Sequence, residues 1–443
     1  MKFSKFNLIV DNGDGKYILF NTFTGHSFFI DENLKLKIEK DEISNLEQKI
    51  YDDFLKYKVI IDDNIDENRY FTYYHNKQKF SDKVISSTIL LTWACNLKCV
   101  YCYEGAGEIR STMLSKEMAQ NYIEFMKNEC LSRNSNIMSV NLFGGEPLIN
   151  FELADYICTE LKRFCDENNK QFITSIVTNG TLLTDNILEK LRSFNCSTIQ
   201  ITLDGTKEIH DSRRMYKDGR GSFDKTISSI KLINSKENYI KPVIRINVDK
   251  TNIKEAYKLL EYLQNEGLSS CRLDFGIVRG STDACSSYSD NCFVEEELGD
   301  LLEELWNAAE KCGFKKNVRP FRRWMYCGLY SDSSFTVAPN GDVYKCWEQV
   351  GEEIHKIGEL SDKGTLKNIQ YAYFDWMTRN PVDTVECRNC VYLPACGGGC
   401  GVISFAETGS YHAKGCFKTK GVLEKSIKSY IESKINLKEN GNV

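Results

Sequence analysis

The sequence predicts an α/β protein, a partial (β/α)6 TIM-like barrel with a small α+β domain ahead of it and a cysteine-rich domain behind it. Three observations carry that expectation. Between residues 81 and 315, six short β-rich runs alternate with six stretches of helical periodicity. The first four runs end in polar or glycine-rich turns, as the rim of a parallel barrel requires. Cysteine, eighteen residues in 443, is concentrated in the segments 95–102 and 327–416.

Residues 1–80 form the first expected domain. The apolar run 6–10, the turn Asn12-Gly13-Asp14-Gly15 and the run 17–20 spell a hairpin. A third strand over 26–30 follows. Residues 42–57 place Ile43, Leu46, Ile50, Phe54 and Leu55 at helical spacing. Residues 58–61 read as a short last strand before the acidic stretch 62–67.

In the second expected domain, 81–315, the strands are 84–92, 138–143, 172–178, 198–203, 243–248 and 271–278. The helices are 115–133, 151–168, 184–194, 222–234, 252–266 and 294–312. Six βα pairs imply a parallel sheet that collects function at its C-terminal edge. Cys95-x3-Cys99-x2-Cys102 follows the first strand and Gly144-Gly145-Glu146-Pro147 the second. Thr178-Asn179-Gly180 ends the third, and Leu203-Asp204-Gly205 the fourth.

The third expected domain, 316–443, holds Cys327, then runs 335–339 and 342–346 around Asn340-Gly341. Counting across a two-residue type I′ turn sets Cys346 opposite Phe335. Cys387, Cys390, Cys396, Cys400 and Cys416 follow, with Gly397-Gly398-Gly399 among them, and residues 419–435 read as a closing helix.

Composition narrows the function. A hydrophobic share of 42% is ordinary for a globular chain, and no apolar run approaches the ~20 residues of a membrane span. The residues Met1 to Ser4 open no signal segment. A formal charge of −5 without a basic stripe argues against nucleic-acid binding. So many cysteines without a secretion signal point to metal binding in a reducing cytoplasm rather than to disulfides.

The cysteine spacings carry the chemistry. A 4Fe–4S cluster takes four thiolates, and the first loop offers three, which leaves one iron open to another ligand. A three-cysteine zinc site is the other reading of the loop, and zinc ribbons are the other reading of the C-terminal set. The spacing C-x3-C-x2-C, with Tyr101 before its last cysteine, resembles the radical SAM family, as do Gly144-Gly145-Glu146-Pro147, His210-Asp211-Ser212-Arg213-Arg214 and Arg245-Ile246-Asn247-Val248. The pattern from Cys327 to Cys416 resembles the SPASM extension of that family. The resemblance implies three 4Fe–4S clusters and S-adenosylmethionine (SAM), whose reductive cleavage yields a 5′-deoxyadenosyl radical. It implies Cys95, Cys99 and Cys102 for the SAM-binding cluster. Cys327, Cys346 and Cys400 belong to the first auxiliary cluster, and Cys387, Cys390, Cys396 and Cys416 to the second. Cys285, Cys292 and Cys312 are the candidates for the missing fourth ligand of the first auxiliary cluster. In the same way Tyr101, Gly144 and Gly145 belong to the SAM site. Glu146 receives the SAM amino group, Asn179 and Asp204 lie near SAM, and Arg214, rather than Arg213, meets its carboxylate.

By architecture and position, residues 1–80 resemble the leader-peptide recognition domains of ribosomal peptide maturases. The expected function is a thioether or carbon–carbon crosslink installed in a ribosomally made precursor peptide. A flavodoxin- or ferredoxin-type protein would supply electrons. A sulfatase-maturing enzyme that makes formylglycine is the alternative, opposed by the N-terminal unit and by Trp347, where that group places an acidic base. A non-catalytic iron–sulfur electron carrier or peptide-binding protein would not need SAM elements on four strand ends. Neither the proton acceptor nor any catalytic side chain is fixed by these patterns.

Overall fold

The structure is a computed structural model that describes residues 1–236, 239–280, 283–316 and 318–439. Strands β1 (Lys2–Phe3), β2 (Asn7–Asp11), β3 (Lys16–Asn21) and β4 (Ser27–Asp31) open the chain. Helices α1 (Glu32–Glu39) and α2 (Gln48–Lys56), strand β5 (Ile60–Ile61) and helix α3 (Glu67–Lys79) follow. β2, β3 and β4 form an antiparallel sheet in that order, and β1 pairs with β5. Two helices lie beyond the sequence expectation. Asp31 caps α1 by accepting from Leu34 N, and Asp66 caps α3 by accepting from Asn68 N and Arg69 N.

Alternation along β2 and β3 gives the small sheet two buried faces. Leu8, Val10, Ile18 and Phe20 pack on Ala395, Leu423 and Ile427 from the far end of the chain. Leu19 on the opposite face meets Ile30, Phe54, Val59 and Ile60. The first unit is thus docked on the cysteine-rich region.

The central elements are β6 (Val84–Leu90), β7 (Leu97–Cys99), α4 (Lys116–Ser132), β8 (Ile137–Phe143), α5 (Phe151–Glu167), β9 (Gln171–Thr178) and α6 (Asp185–Ser193). They continue through β10 (Cys196–Thr202), α7 (Lys207–Arg213), β11 (Arg214–Tyr216), α8 (Phe223–Ser235), β12 (Val243–Val248), α9 (Ile253–Asn265), β13 (Arg272–Ile277) and α10 (Leu298–Lys311). The C-terminal region adds β14 (Ser334–Val337), β15 (Asp342–Tyr344), β16 (Gly358–Leu360), β17 (Leu366–Lys367), α11 (Tyr371–Thr378), α12 (Val385–Arg388), α13 (Leu393–Cys396), α14 (Gly401–Thr408) and α15 (Val422–Glu439).

One ten-stranded sheet runs β13-β12-β10-β9-β8-β6-β14-β15-β16-β17. Its first six members are parallel, each beside its predecessor in the chain, which is the singly wound half of a TIM-type barrel. β14 adds to β6 in parallel, Ser334 to Val337 pairing with Ser86 to Ile89. The sheet therefore crosses the boundary expected near residue 315. Its inner surface and the covering helices share one large apolar core. Cys130, Cys158, Cys165, Cys196, Cys271 and Cys312 are buried in it and pack there as small apolar groups.

The hairpin register departs from expectation. Thr336 faces Tyr344 and Val337 faces Val343, with Ala338 N donating to Asp342 O, so the loop is Pro339-Asn340-Gly341. Pro339 presets a turn at its first position, and Gly341 at φ +89° closes it as a one-residue bulge. Carried onward, this register sets Lys345 opposite Phe335, and Cys346 stands one position further. No helix of the described residues is long and apolar enough to cross a membrane.

Candidate active site

The first cysteine loop is held by three strand ends. β7 pairs antiparallel with β11, so that Cys99 and Arg214 are register partners 115 positions apart in sequence. Gly145 N donates to Thr92 O and Glu146 N to Ala94 O, which lays the glycine turn directly on the loop. A Cβ on Gly145 would stand 2.5 Å from Ala94 O, and one on Gly144 would overlap Thr92 O. Bare backbone is required at both. Asn179 Nδ2 donates to Asn96 Oδ1 (2.8 Å) and reaches Cys95 Sγ at 3.9 Å.

These elements border a cavity of about 540 Å³ at the C-terminal ends of the strands. Cys95, Cys99, Tyr101, Cys102, Gly144, Gly145, Asn179 and Arg214 line it. Arg214 Nη1 donates to Tyr101 Oη at 2.7 Å, and its Nε, buried, has no partner. Arg213 lies behind, donating to Asp249 Oδ2 at 2.6 Å and stacked over the Tyr101 ring. Asp204 also stands behind the wall, fully buried and bonded to the Tyr101 hydroxyl.

Glu146 joins the glycine turn to its neighbours. It is fully buried and off the cavity wall, and it accepts from Leu148 N (3.0 Å), Thr178 Oγ1 (2.7 Å) and Asn179 N (2.8 Å). The carboxylate ties the glycine turn to the end of β9. Burial raises its pKa against the pull of those three donors.

The rest of the wall comes from segments distant in sequence from the cysteine loop. Arg279 Nη2 donates to both oxygens of Glu348, at 2.5 and 2.7 Å. Trp347 stacks on Phe143 with ring centres 5.8 Å apart. Phe417 and Lys418 complete the wall, with Lys418 Nζ donating to Phe275 O at 2.7 Å. Burial lowers Lys418 to about 8. Tyr103 and Glu104 also face the cavity. Burial pushes Glu104 up to about 8, and the nearby Tyr103 and Arg110 hold it down only in part. Their place directly after Cys102 was the one signal in the sequence for them. Arg279, Glu348 and Lys418 carry none, because packing of distant segments alone brings them here.

The remaining cysteines fall into two groups. Cys346 carries the electrostatic influence of Cys400 and Cys327. Cys387 carries that of Cys416 and Cys390, and Cys396 feels all three of those. A main-chain bond from Cys400 N to Gly415 O (2.7 Å) crosses between the segments. A Cβ on Gly399 or Gly415 would strike the facing backbone, so the two chains touch. Burial raises the pKa of Cys327, Cys346, Cys387, Cys396 and Cys416, and Cys95 rises to about 12. Thiolates here need the positive charge of bound metal. Among the described residues no three His, Cys, Asp or Glu converge as ligands of one ion. Of the candidates for a fourth ligand in the Cys327 group, Cys312 lies in the core with Glu261 as its charged neighbour, and Cys292 Sγ donates to Tyr288 O at 3.6 Å. The Cys285 side chain lies outside the described residues.

Residues 89–263 match the Radical SAM superfamily. The chain is 23% identical over 349 residues to the radical SAM cyclopropyl synthase TigE of Paramaledivibacter caminithermalis, covering 73% of this chain and 69% of TigE. It is 27% identical over 331 residues to the cysteine-type anaerobic sulfatase-maturating enzyme of Clostridium novyi, covering 69% and 84%. In fold it is similar to native anSMEcpe with bound AdoMet and Kp18Cys peptide (TM-score 0.60, 18% identity, 81% of this chain and 99% of that one). It is also similar to Streptococcus suis SuiB bound to precursor peptide SuiA (TM-score 0.50, 16% identity, 93% and 98%).

Proposed function

This chain is an enzyme with a radical SAM domain, and on that premise we propose that it matures a ribosomally made precursor peptide by installing a thioether or carbon–carbon crosslink. The observation that supports this reading most is the single cavity shared by the Cys95–Cys102 loop and by Trp347 and Glu348, which directly follow Cys346. A peptide segment entering it would lie between the SAM site and the first auxiliary site.

SAM and its cluster, when bound, supply a carbon radical able to abstract hydrogen from substrate carbon. Cys95, Cys99 and Cys102 would hold that 4Fe–4S cluster. Arg214, with an unpartnered Nε on the wall, would take the SAM carboxylate in charge-assisted hydrogen bonds. Tyr101, held by Arg214 and by Asn247 Nδ2 at 3.1 Å, fixes the guanidinium from one side. Gly144 and Gly145 keep the adjoining wall clear of side chains. Asn179 braces the loop, while Asp204 and Glu146 act from behind by ordering Tyr101 and the glycine turn. Cys327, Cys346 and Cys400 would carry one auxiliary cluster and Cys387, Cys390, Cys396 and Cys416 the other, making three in all. A cytoplasmic flavodoxin- or ferredoxin-type donor would reduce them.

The unpaired outer edge of β4 would receive the leader of the precursor by strand addition. The sulfatase-type reading loses ground because Trp347 stands after Cys346 and the next acid, Glu348, is occupied by Arg279.

The test is to incubate the cluster-loaded protein with SAM, a low-potential reductant and the short reading frame beside its gene, and to weigh the peptide. A product lighter by two hydrogens supports the proposal. Conversion of a sulfatase-type Cys to formylglycine in a peptide control, with the precursor untouched, would replace it with the alternative.

A further inference from the structure

Most charged groups on the cavity wall answer one another. Arg279 holds Glu348, Arg245 holds Asp274, and Lys418 holds the Phe275 carbonyl. Arg214 is half satisfied by Tyr101, and its free Nε suits the carboxylate already assigned to it. One place on the wall remains unmet. The Tyr103 hydroxyl and both carboxyl oxygens of Glu104 are shut off from solvent with no partner in hydrogen-bond geometry, although the two side chains are close enough to influence each other. Buried polar groups are almost always paired, and those that are not mark a place where something is missing.

The position of the pair is informative. Tyr103 lies within electrostatic reach of Cys102 and also of Glu348 and Cys346. It therefore stands near both the Cys95–Cys102 loop and Cys346, on the wall of the cavity they share.

We propose that Tyr103 and Glu104 form a subsite for an uncharged amide of the substrate peptide, the phenol donating to the amide carbonyl and the carboxyl accepting from its N–H. The inference rests on the peptide-maturase reading and names what that cavity recognises. A cation would engage Glu104 alone, leave the phenol unmatched, and share the cavity with Arg214, Arg245, Arg279 and Lys418. An anion brings no donor and would leave a Glu104 oxygen unpaired. An apolar group would leave all three polar atoms unpaired. Only a group with adjacent donor and acceptor meets both needs.

The experiment uses the full-length, cluster-loaded protein with SAM present and three small probes, N-methylacetamide, acetamide and methyl acetate, titrated by ligand-observed NMR. The wild-type protein should bind an amide at least ~10-fold more tightly than the ester, which lacks the N–H, a difference of one hydrogen bond to a charged or polar partner. Glu104→Leu should abolish that preference, Glu104→Gln should keep much of it through its side-chain oxygen, and Tyr103→Phe should weaken amide and ester together. Tighter binding of N-methylacetamide identifies a backbone amide, and tighter binding of acetamide an Asn or Gln side chain. Failure of the wild-type protein to bind either amide saturably, or an amide preference that survives in Glu104→Leu, overturns the proposal. Should the wild-type protein fail to cleave SAM under reductant, the radical SAM premise falls instead, and the probe titrations still report on the subsite.

Discussion

Arg213 and Arg214 are buried neighbours in the chain with different partners, and their substitutions should separate in SAM affinity. Arg214 sits on the cavity wall, whereas Arg213 is buried behind it against Asp249, with side chains 7% and 0% exposed. Arg214→Gln should weaken SAM binding ~10–100-fold, the worth of a charge-assisted hydrogen bond. Arg213→Gln strands a buried carboxylate and should cost about 3–5 kcal/mol of stability, read as a lower Tm. Equal losses of SAM affinity in the two variants, measured by calorimetry, would contradict the assignment. Gly145→Ala offers a second residue-scale test. Its Cβ has no room beside Ala94 O, so the cysteine loop must move. The variant should lose SAM cleavage while the iron held by the C-terminal cysteines stays in place. Normal turnover in Gly145→Ala would show that the loop tolerates displacement.

At the scale of elements, the N-terminal unit is joined to the cysteine-rich region by direct contacts. Lys5 Nζ donates to Arg388 O (2.7 Å) and Thr22 Oγ1 to Val391 O (2.6 Å), both within the Cys387–Cys396 segment. Phe6 and Phe71 pack beside Cys387 itself. Removal of residues 1–80 should therefore lower the iron content and alter the auxiliary-cluster EPR signal, beyond any loss of leader affinity. Full iron retention in the shortened protein would show a detachable recognition module instead. Helix α3 belongs to the same interface, with His75 Nδ1 against Trp324 O at 2.6 Å. Burial lowers His75 to about 4, so the folded state holds it neutral. The unfolded chain takes up the proton first, and stability should fall as pH drops from about 6.5 to about 4. A Tm–pH profile should show that slope, and His75→Gln should flatten it.

The elements that the sequence made legible are the periodic ones. All six barrel strands and their helices fall within a few residues of expectation, because each has a buried face of regular spacing. Helix α3 escaped because only Phe71, His75 and Lys79 are buried on it, a narrow stripe among exposed tyrosines. The hairpin register shifted by one because Pro339 draws the turn forward from Asn340-Gly341. In the site, chain-local signals revealed the cysteine loop and the glycine turn. The pairing of Cys99 with Arg214, the retreat of Glu146 behind the wall and the arrival of Arg279, Glu348 and Lys418 are consequences of tertiary packing.

The whole molecule is organised by one sheet that passes from the barrel into the cysteine-rich region. β14 covers the edge of β6, so a chain ended after residue 315 would expose the hydrogen-bonding edge of β6 from Ser86 to Ile89. Such a chain should self-associate, which light scattering would detect, and a monodisperse, stable monomer would show that the barrel folds without its extension. The same continuity places the Cys346 hairpin at the rim where SAM chemistry is proposed. The most direct test of that account is the simultaneous replacement of Cys95, Cys99 and Cys102 by Ala in the anaerobically reconstituted protein. Iron content should fall from ~12 to ~8 per chain, for clusters of four irons each, and reductant-dependent formation of 5′-deoxyadenosine should vanish. Continued SAM cleavage by this triple variant would contradict the assignment of the SAM site and, with it, the reaction built around that site.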